Sequence, residues 1–523
     1  MKITGLFLLL FPLCTFAQHQ ADILITNGRI VDGTGNPWFK GSVAIKNGKI
    51  VAVGQLANWQ ATKTIDAHNQ IIAPGFIDVH THIEGEEVKN PTANNFIYDG
   101  VTTVVTGNCG LSRVNVGKYF LMIDSLQTSI NVAGLIGHND VRKAVMGTAN
   151  RTATATEQQQ MEALVGQAMK DGAVGMSTGL IYIPGTYAPT SEIVALAKVV
   201  SAYGGIYASH MRNEGDSVLA AIKEALYIGR EANIPVQISH FKVGGQQNWG
   251  RSIETLAAIN KARAEGIDVT IDQYPYTASS TSLSTMIPDD VLADGPDSIK
   301  ARLLRPDVIK YVVSDMLKSL AKRKLKHFDY PVVAYYAADT TLNGKSIEAI
   351  NLLKGKKHNA EEEANTVIEM MLKGGAGMVF HGMGEEDVQR IMQHPFNMIA
   401  SDASIRVYNQ GVPHPRGYGS NARVLGKYVR EEKLIPLEEA IRRMTSLPAR
   451  KFNLVGRGLL MEGMAADIVI LNENTVKDLS TFEAPHQYST GFSYVLVNGK
   501  VVLANGKHNG TRSGQVLYGP ARK

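Results

Sequence analysis

The sequence predicts an α/β protein: a parallel (β/α)8 barrel of the TIM type, carrying a small β-sandwich built from both ends of the chain. Three observations predict it. Eight short apolar, β-branched runs recur between residues 76 and 402, most of them separated by segments with helical spacing. Near-continuous apolar strands are those of a parallel sheet covered by helices on both faces. Period-2 alternation with Asn-Gly turns occupies both termini, and polar residues gather at the C-terminal ends of the eight runs, where barrels of this kind form their active sites.

In chain order, residues 1–17 read as a secretory signal. Lys2 precedes an apolar run from Ile3 to Leu13, and "TFA" supplies small residues for cleavage after Ala17. The run is too short to span a membrane, and no later stretch reaches about 18 apolar residues. The expectation is an exported protein, periplasmic or secreted. Residues 18–73 read as the N-terminal part of the β-sandwich, with hairpin signals at Asn27-Gly28 and Asn47-Gly48.

The barrel is expected over 74–454. Its runs are "FIDVHTH" (76–82), "TTVVTGN" (102–108), "INVAGLIGH" (130–138), "GAVGMSTG" (172–179), "GGIYASH" (204–210), "IPVQISH" (234–240), "DVTIDQYP" (268–275) and "NMIASD" (397–402). "SEIVALAKVVSAY" and "DSVLAAIKEALYIGREA" carry the 3.6-residue spacing of helices, with Ser191 and Asp216 as N-caps. Residues 285–380 are too long for one connection, and "PVVAYYAAD" and "GAGMVFHG" resemble extra strands, so an insertion is expected before the eighth barrel strand. Residues 455–523 return to β patterning, with Asn498-Gly499 and Asn505-Gly506 between β-rich runs.

Composition narrows the function. Hydrophobic residues at 44% and charged residues at 19% describe a globular chain with a large core, and a net charge of +5 is mild for this length. No basic block is interleaved with aromatics, which argues against nucleic acid as a partner. "AKRKLKHFDY" (321–330), the densest cationic run, reads as a solvated helix face.

The chemistry lies at the strand ends. His80 and His82 end the first run, Cys109 follows the second, His210 ends the fifth, His240 the sixth and Asp402 the eighth. Side chains alternate along a strand, so an H-x-H turns two imidazoles the same way. Imidazole and thiolate favour zinc. Cys109 and Cys14 are the two cysteines, and Cys14 lies in the expected leader, so the mature chain has no internal disulfide partner for Cys109. Metal ligation accounts for such a thiol.

"APGFIDVHTH", with His210, His240 and Asp402 at strand ends, resembles the amidohydrolase superfamily. "TTVVTGNCG", "GMSTGLIYIPG", "YASHMRNEG", "ISHFKVGG", "DQYPYTASST" and "HPRGYGS" resemble its N-acyl-D-amino-acid deacylase (D-aminoacylase) group over nearly the whole mature chain. Many members of the superfamily bridge metals with a carboxylated lysine on the fourth strand, and "GAVGMSTG" has no lysine. The resemblance implies that Cys109 replaces it, that Cys109, His210 and His240 form one tight zinc site, and that His80, His82 and Asp402 complete a second, weaker one. It implies hydrolysis of an N-acyl-D-amino acid with Asp402 moving the proton, and it places Lys242, Tyr274 and Arg416 around the substrate carboxylate. His138 and His381, also at strand-like ends, are left out of the ligand set as supporting or core histidines. Another amide hydrolase of the superfamily (a dipeptidase or cyclic-amide hydrolase) and a non-catalytic binding protein are the rival readings. The stretch from Thr277 to Ser298 has no Lys or Arg, while Met286 and Ile287 offer apolar lining. A neutral or hydrophobic substrate side chain is therefore expected unless a cation such as Arg302 or Lys345 folds in.

Overall fold

The computed structural model describes residues 19–522, so the expected leader lies outside the described residues. Eight parallel strands form the barrel: β1 Phe76–Asp78, β2 Val101–Thr106, β3 Asn131–Gly137, β4 Gly175–Gly179, β5 Ile206–His210, β6 Val236–Ile238, β7 Val269–Gln273 and β8 Asn397–Ile399. They pair in chain order. Just past β1 and β8 the ring is drawn together. The Asp402 N–H donates to the His80 carbonyl and the His82 N–H to the Ala403 carbonyl, both at 2.9 Å. Every residue of these strands is buried, which is why each read as a continuous apolar run and not as an alternation.

Helices cover the barrel. Thr190–Ala202 buries Ile193, Leu196, Ala197 and Val200, one face of a 3.6-residue period. The expected caps are not used. Ser191 lies inside that helix, which Pro189 precedes. Asp216 lies before the N-cap of Val218–Ala232 and accepts instead from Asn248 Nδ2 at 2.8 Å.

Both ends of the chain contribute to one β domain. Hydrogen bonds join its nine strands into one connected sheet. The long strand His19–Ile30 makes the link, pairing with Trp59–Asp66 along its first part and with Ile71–Pro74 at its end. Ile25, Ile45, Ile65, Ile72, Ile468 and Leu496, from strands on both sides of it, share one core. Asn47-Gly48, Asn498-Gly499 and Asn505-Gly506 turn hairpins as read. Asn27-Gly28 does not. It forms a bulge within the first strand, where Asn27 takes φ 55° and the register shifts. A Cβ on Gly28 would lie 2.1 Å from Ile72 Cδ1. The tail leaves this sheet, and the Gly514 and Leu517 N–H groups donate to Thr128 and Val132 at the foot of β3.

The insertion between β7 and β8 is a subdomain with its own core, including Met316, Phe328, Val333, Ile350 and Val367. Its antiparallel sheet runs Ala278–Ser282, Gly377–His381, Pro331–Tyr335, and its helices include α1 Pro306–Lys322, α2 Ile347–Leu353 and α3 Ala360–Leu372. It opens at Ala278, earlier than expected, because "ASSTS" is a strand held by pairing to Gly377–His381. That stretch lacks the apolar alternation that marks a strand in sequence.

Candidate metal centre and active site

All six candidate ligands meet at the C-terminal mouth of the barrel. Cys109 Sγ lies 3.2 Å from His80 Nε2, 3.4 Å from His210 Nδ1 and 3.6 Å from His240 Nε2. His210 Nδ1 and His240 Nε2 are 2.7 Å apart. Asp402 Oδ1 faces His82 Nε2 at 3.3 Å and His80 Nε2 at 3.6 Å. The strands deliver these groups by pairing. The segment just past β2 also reaches the end of β4, so closely that a Cβ on Gly179 would lie 2.1 Å from the Cys109 carbonyl oxygen.

Three of the six take a backbone conformation that side chains rarely adopt. Cys109, His240 and Asp402 have φ of 54°, 34° and 50°. Left-handed backbone at a non-glycine residue costs on the order of 1–3 kcal/mol and persists where the surrounding structure over-determines it. Here it turns each side chain inward just as its strand ends.

The donors fit a zinc-type cation. A tetrahedral ion bound at about 2.0–2.3 Å holds its donors roughly 3.3–3.7 Å apart, close to the spacings around Cys109 Sγ. Carboxylates lie behind the three buried rings, and the one behind His240 is within the hydrogen-bond distance that supports a metal-ligating imidazole. His80 Nδ1 lies 3.5 Å from Asp272 Oδ1, His240 Nδ1 2.9 Å from Glu214 Oε1, and His210 Nε2 3.9 Å from Glu214 Oε2. Burial alone would push the Cys109 thiol up, but His80 and His210 hold it well below its ordinary value, which favours the ligating thiolate. Burial likewise opposes the Asp402 carboxylate, yet Arg416 and His80 hold it well below the usual range.

Asp272 and Glu214 were missed by sequence reasoning. Signals existed: Asp272 interrupts an apolar strand, and Glu214 follows His210 by four residues. Asp272 also accepts the His240 N–H at 2.7 Å. Asp78, in the first run, accepts N–H groups from His80 and Ser401 at 3.1 Å, tying β1 to β8, and burial raises its carboxyl to about 6.

Lys242, Tyr274 and Arg416 line the same cavity, which measures about 1360 Å³. Lys242 Nζ donates to Glu214 Oε1 at 2.7 Å and to the His240 carbonyl at 2.9 Å. Burial works against its charge, but Glu214 more than restores it. The Arg416 guanidinium stacks 4.4 Å over the Tyr274 ring, and its Nη1 lies 2.9 Å from Asp402 Oδ2. That contact has the separation of an ion pair without hydrogen-bond alignment, and Nε is also without an acceptor. Donors of a buried guanidinium are thus left for a further anion. His414 positions this arginine, its Nδ1 accepting the Arg416 N–H at 3.0 Å while its Nε2 donates to the Ala278 carbonyl at 2.8 Å. His138 is a packing residue bound to Glu192 at 2.8 Å.

Met286 and Ile287 line the cavity as expected. Arg302 does not, being tied to Asp294 at 2.5 Å, and Lys345 is also absent from the lining. Cations reach the cavity from an unexpected place, the end of α1, where Lys318, Lys322 and Arg323 line one wall. Lys322 Nζ faces Asp216 at 3.9 Å, and Arg323 stacks 4.8 Å over Tyr330.

Known proteins resemble this chain over nearly its whole length. The model of the Amidohydrolase family matches residues 63–205 and 312–503. An N-acyl-D-glutamate deacylase of Alcaligenes xylosoxydans xylosoxydans is 36% identical over 508 residues, covering 93% of this chain and 94% of its own. A D-aminoacylase of the same organism is 35% identical over 520 residues, covering 95% and 97%. The crystal structure of N-acyl-D-glutamate deacylase from Bordetella bronchiseptica, complexed with zinc and a phosphonate inhibitor, matches with a TM-score of 0.81 and 36% identity, over 96% of this chain and 100% of that one.

Proposed function

The chain belongs to the amidohydrolase family, and from that premise we infer that it is a zinc-dependent hydrolase of N-acyl-D-amino acids, releasing a carboxylate and a free D-amino acid. The observation that carries this reading is the convergence of Cys109, His80, His210 and His240 on one buried point, with Asp402 beside it. Cys109, His210 and His240 would hold the tighter zinc, and His80, His82 and Asp402 a weaker second one. Zinc bound there would supply a Lewis acid and a water of lowered pKa. Asp402 Oδ1 accepts the proton of the attacking water and returns it to the departing amine. The open donors of Arg416, with the Lys242 ammonium and the Tyr274 hydroxyl, hold the α-carboxylate and so set which face of the α-carbon the scissile amide presents.

Met286 and Ile287 support a preference for neutral or hydrophobic side chains. Arg323 and Lys322 support a second reading, in which an acidic side chain reaches the α1 wall. The leader-like run from Lys2 to Ala17 supports export to the periplasm or medium, which N-terminal sequencing of the protein made in its own cell tests.

The test of function is kcat/KM of zinc-loaded protein on paired N-acetyl-D- and N-acetyl-L-amino acids, with side chains from Leu and Met to Asp and Glu. Turnover of D forms with L forms spared is expected. Equal rates on both, or cleavage of dipeptides and cyclic amides alone, would sink the reading.

A further inference from the structure

The insertion holds a second cluster of metal-binding groups that plays no part in the chemistry above. His327 precedes the strand Pro331–Tyr335, Glu348 sits in α2, His358 lies between α2 and α3, and Glu363 sits in α3. Each offers one donor atom, and the four lie within 4.8 Å of one another. His327 Nδ1 is 2.7 Å from Glu363 Oε1 and 3.9 Å from Glu348 Oε1, while His358 Nε2 is 2.7 Å from Glu348 Oε1. The two imidazoles stack with centroids 4.1 Å apart.

We propose that these four residues form a structural zinc site, distinct from the catalytic cluster, that clamps the insertion together. Two imidazoles and two carboxylates are a four-donor set suited to zinc, with no position left open for substrate. A tetrahedral ion with bonds of about 2.0–2.1 Å needs its donors roughly 3.3 Å apart, and the observed separations bracket that value. The site is oriented from behind. Glu363 is fully buried, and its second oxygen accepts the Phe328 N–H at 2.7 Å, which leaves Oε1 aimed at the cluster. It can also be reached, because His358 is half-exposed. Two carboxylates with two neutral imidazoles balance a divalent charge.

Such an ion joins the segment after α1 to α2 and α3. Met316, Ser319, Lys322 and Arg323, on α1 and just past it, line the substrate cavity, so the clamp braces one cavity wall. It also gives a role to His327, which lies in the cationic run 321–330 that reads in sequence as a solvated surface.

The test counts zinc and does not depend on turnover. Zinc-loaded holoenzyme, desalted and assayed by elemental analysis, is compared with His358→Gln and with the double variant His327→Gln/His358→Gln. Each variant is expected to lose about one zinc per chain, to melt at lower temperature, and to keep its kcat and the zinc lost by Cys109→Ala. Anomalous diffraction at the zinc edge on wild-type crystals, which needs no variant, is expected to show a peak among the four residues as well as one at Cys109. Unchanged zinc content in the folded variants, or a map with a peak at Cys109 and none at the second cluster, would overturn the proposal and show a hydrogen-bonded network alone. Loss of the Cys109 peak would instead count against the catalytic reading.

Discussion

Asp402 divides its carboxylate between two tasks: Oδ2 lies 2.9 Å from Arg416 Nη1, while Oδ1 faces His82 and His80 at 3.3 and 3.6 Å. The group proposed to move the proton is therefore coupled directly to the group proposed to read the substrate carboxylate.

That coupling makes Asp402→Asn informative. The amide cannot accept a proton, and proton transfer by a placed side chain is worth about 10²–10⁴-fold. The variant is expected to keep the zinc held by Cys109, His210 and His240 while kcat falls by that factor. A kcat within threefold of wild type at neutral pH would remove Asp402 from this role.

Cys109→Ala removes the donor at the centre of the cluster. Metal content and activity are expected to fall together, because the remaining buried rings lose the thiolate that anchors them. Full zinc with normal turnover would show Cys109 to be a buried thiol without a ligating role.

Arg416→Lys keeps the charge and loses the fork. An ammonium neither stacks on Tyr274 as a guanidinium does nor offers paired donors in one plane. A lost charge-assisted hydrogen bond costs about 1.5–3 kcal/mol, so kcat/KM should drop by roughly 10- to 150-fold. An unchanged value would place the substrate carboxylate elsewhere.

Arg323→Met separates the two readings of the side-chain pocket. If acidic substrates reach the α1 wall, their kcat/KM falls at least tenfold while that of N-acetyl-D-Leu holds. If neutral substrates are preferred, the wild type already favours N-acetyl-D-Leu or N-acetyl-D-Met and the variant changes little.

His414 gives a dependence on pH. Burial, and then the Arg416 charge, hold its ring well below its ordinary value of 6.5, so the folded state favours the neutral ring. A depressed folded value contributes stability that is full above about 6.5 and is lost as pH falls through it, at about 1.4 kcal/mol per pH unit. Asparagine can accept the Arg416 N–H as His414 Nδ1 does, without titrating, and its loss of the longer reach to the Ala278 carbonyl is the same at every pH. The stability advantage of wild type over His414→Asn is therefore expected to shrink between pH 6.5 and 5.5, measured by denaturant unfolding. A gap that stays constant or widens would contradict this.

Sequence alone determined the barrel, its eight strands, and the six strand-end residues that meet in its mouth. It could do so because burial on both faces imposes continuous apolar runs, and because strands that pair in order bring their C-terminal ends together wherever the connections go. Tertiary structure decided what depends on groups far apart in the chain. Asn27-Gly28 is a bulge because Ile72 packs over it, and Ala278–Ser282 is a strand because Gly377–His381 pairs with it. The same holds for the carboxylates behind the rings, the left-handed backbone at Cys109, His240 and Asp402, and the arrival of Arg323 at the cavity. Local patterning records which face of an element is buried. It does not record which distant side chain arrives there, because the closure of the ring and the docking of the insertion set that together.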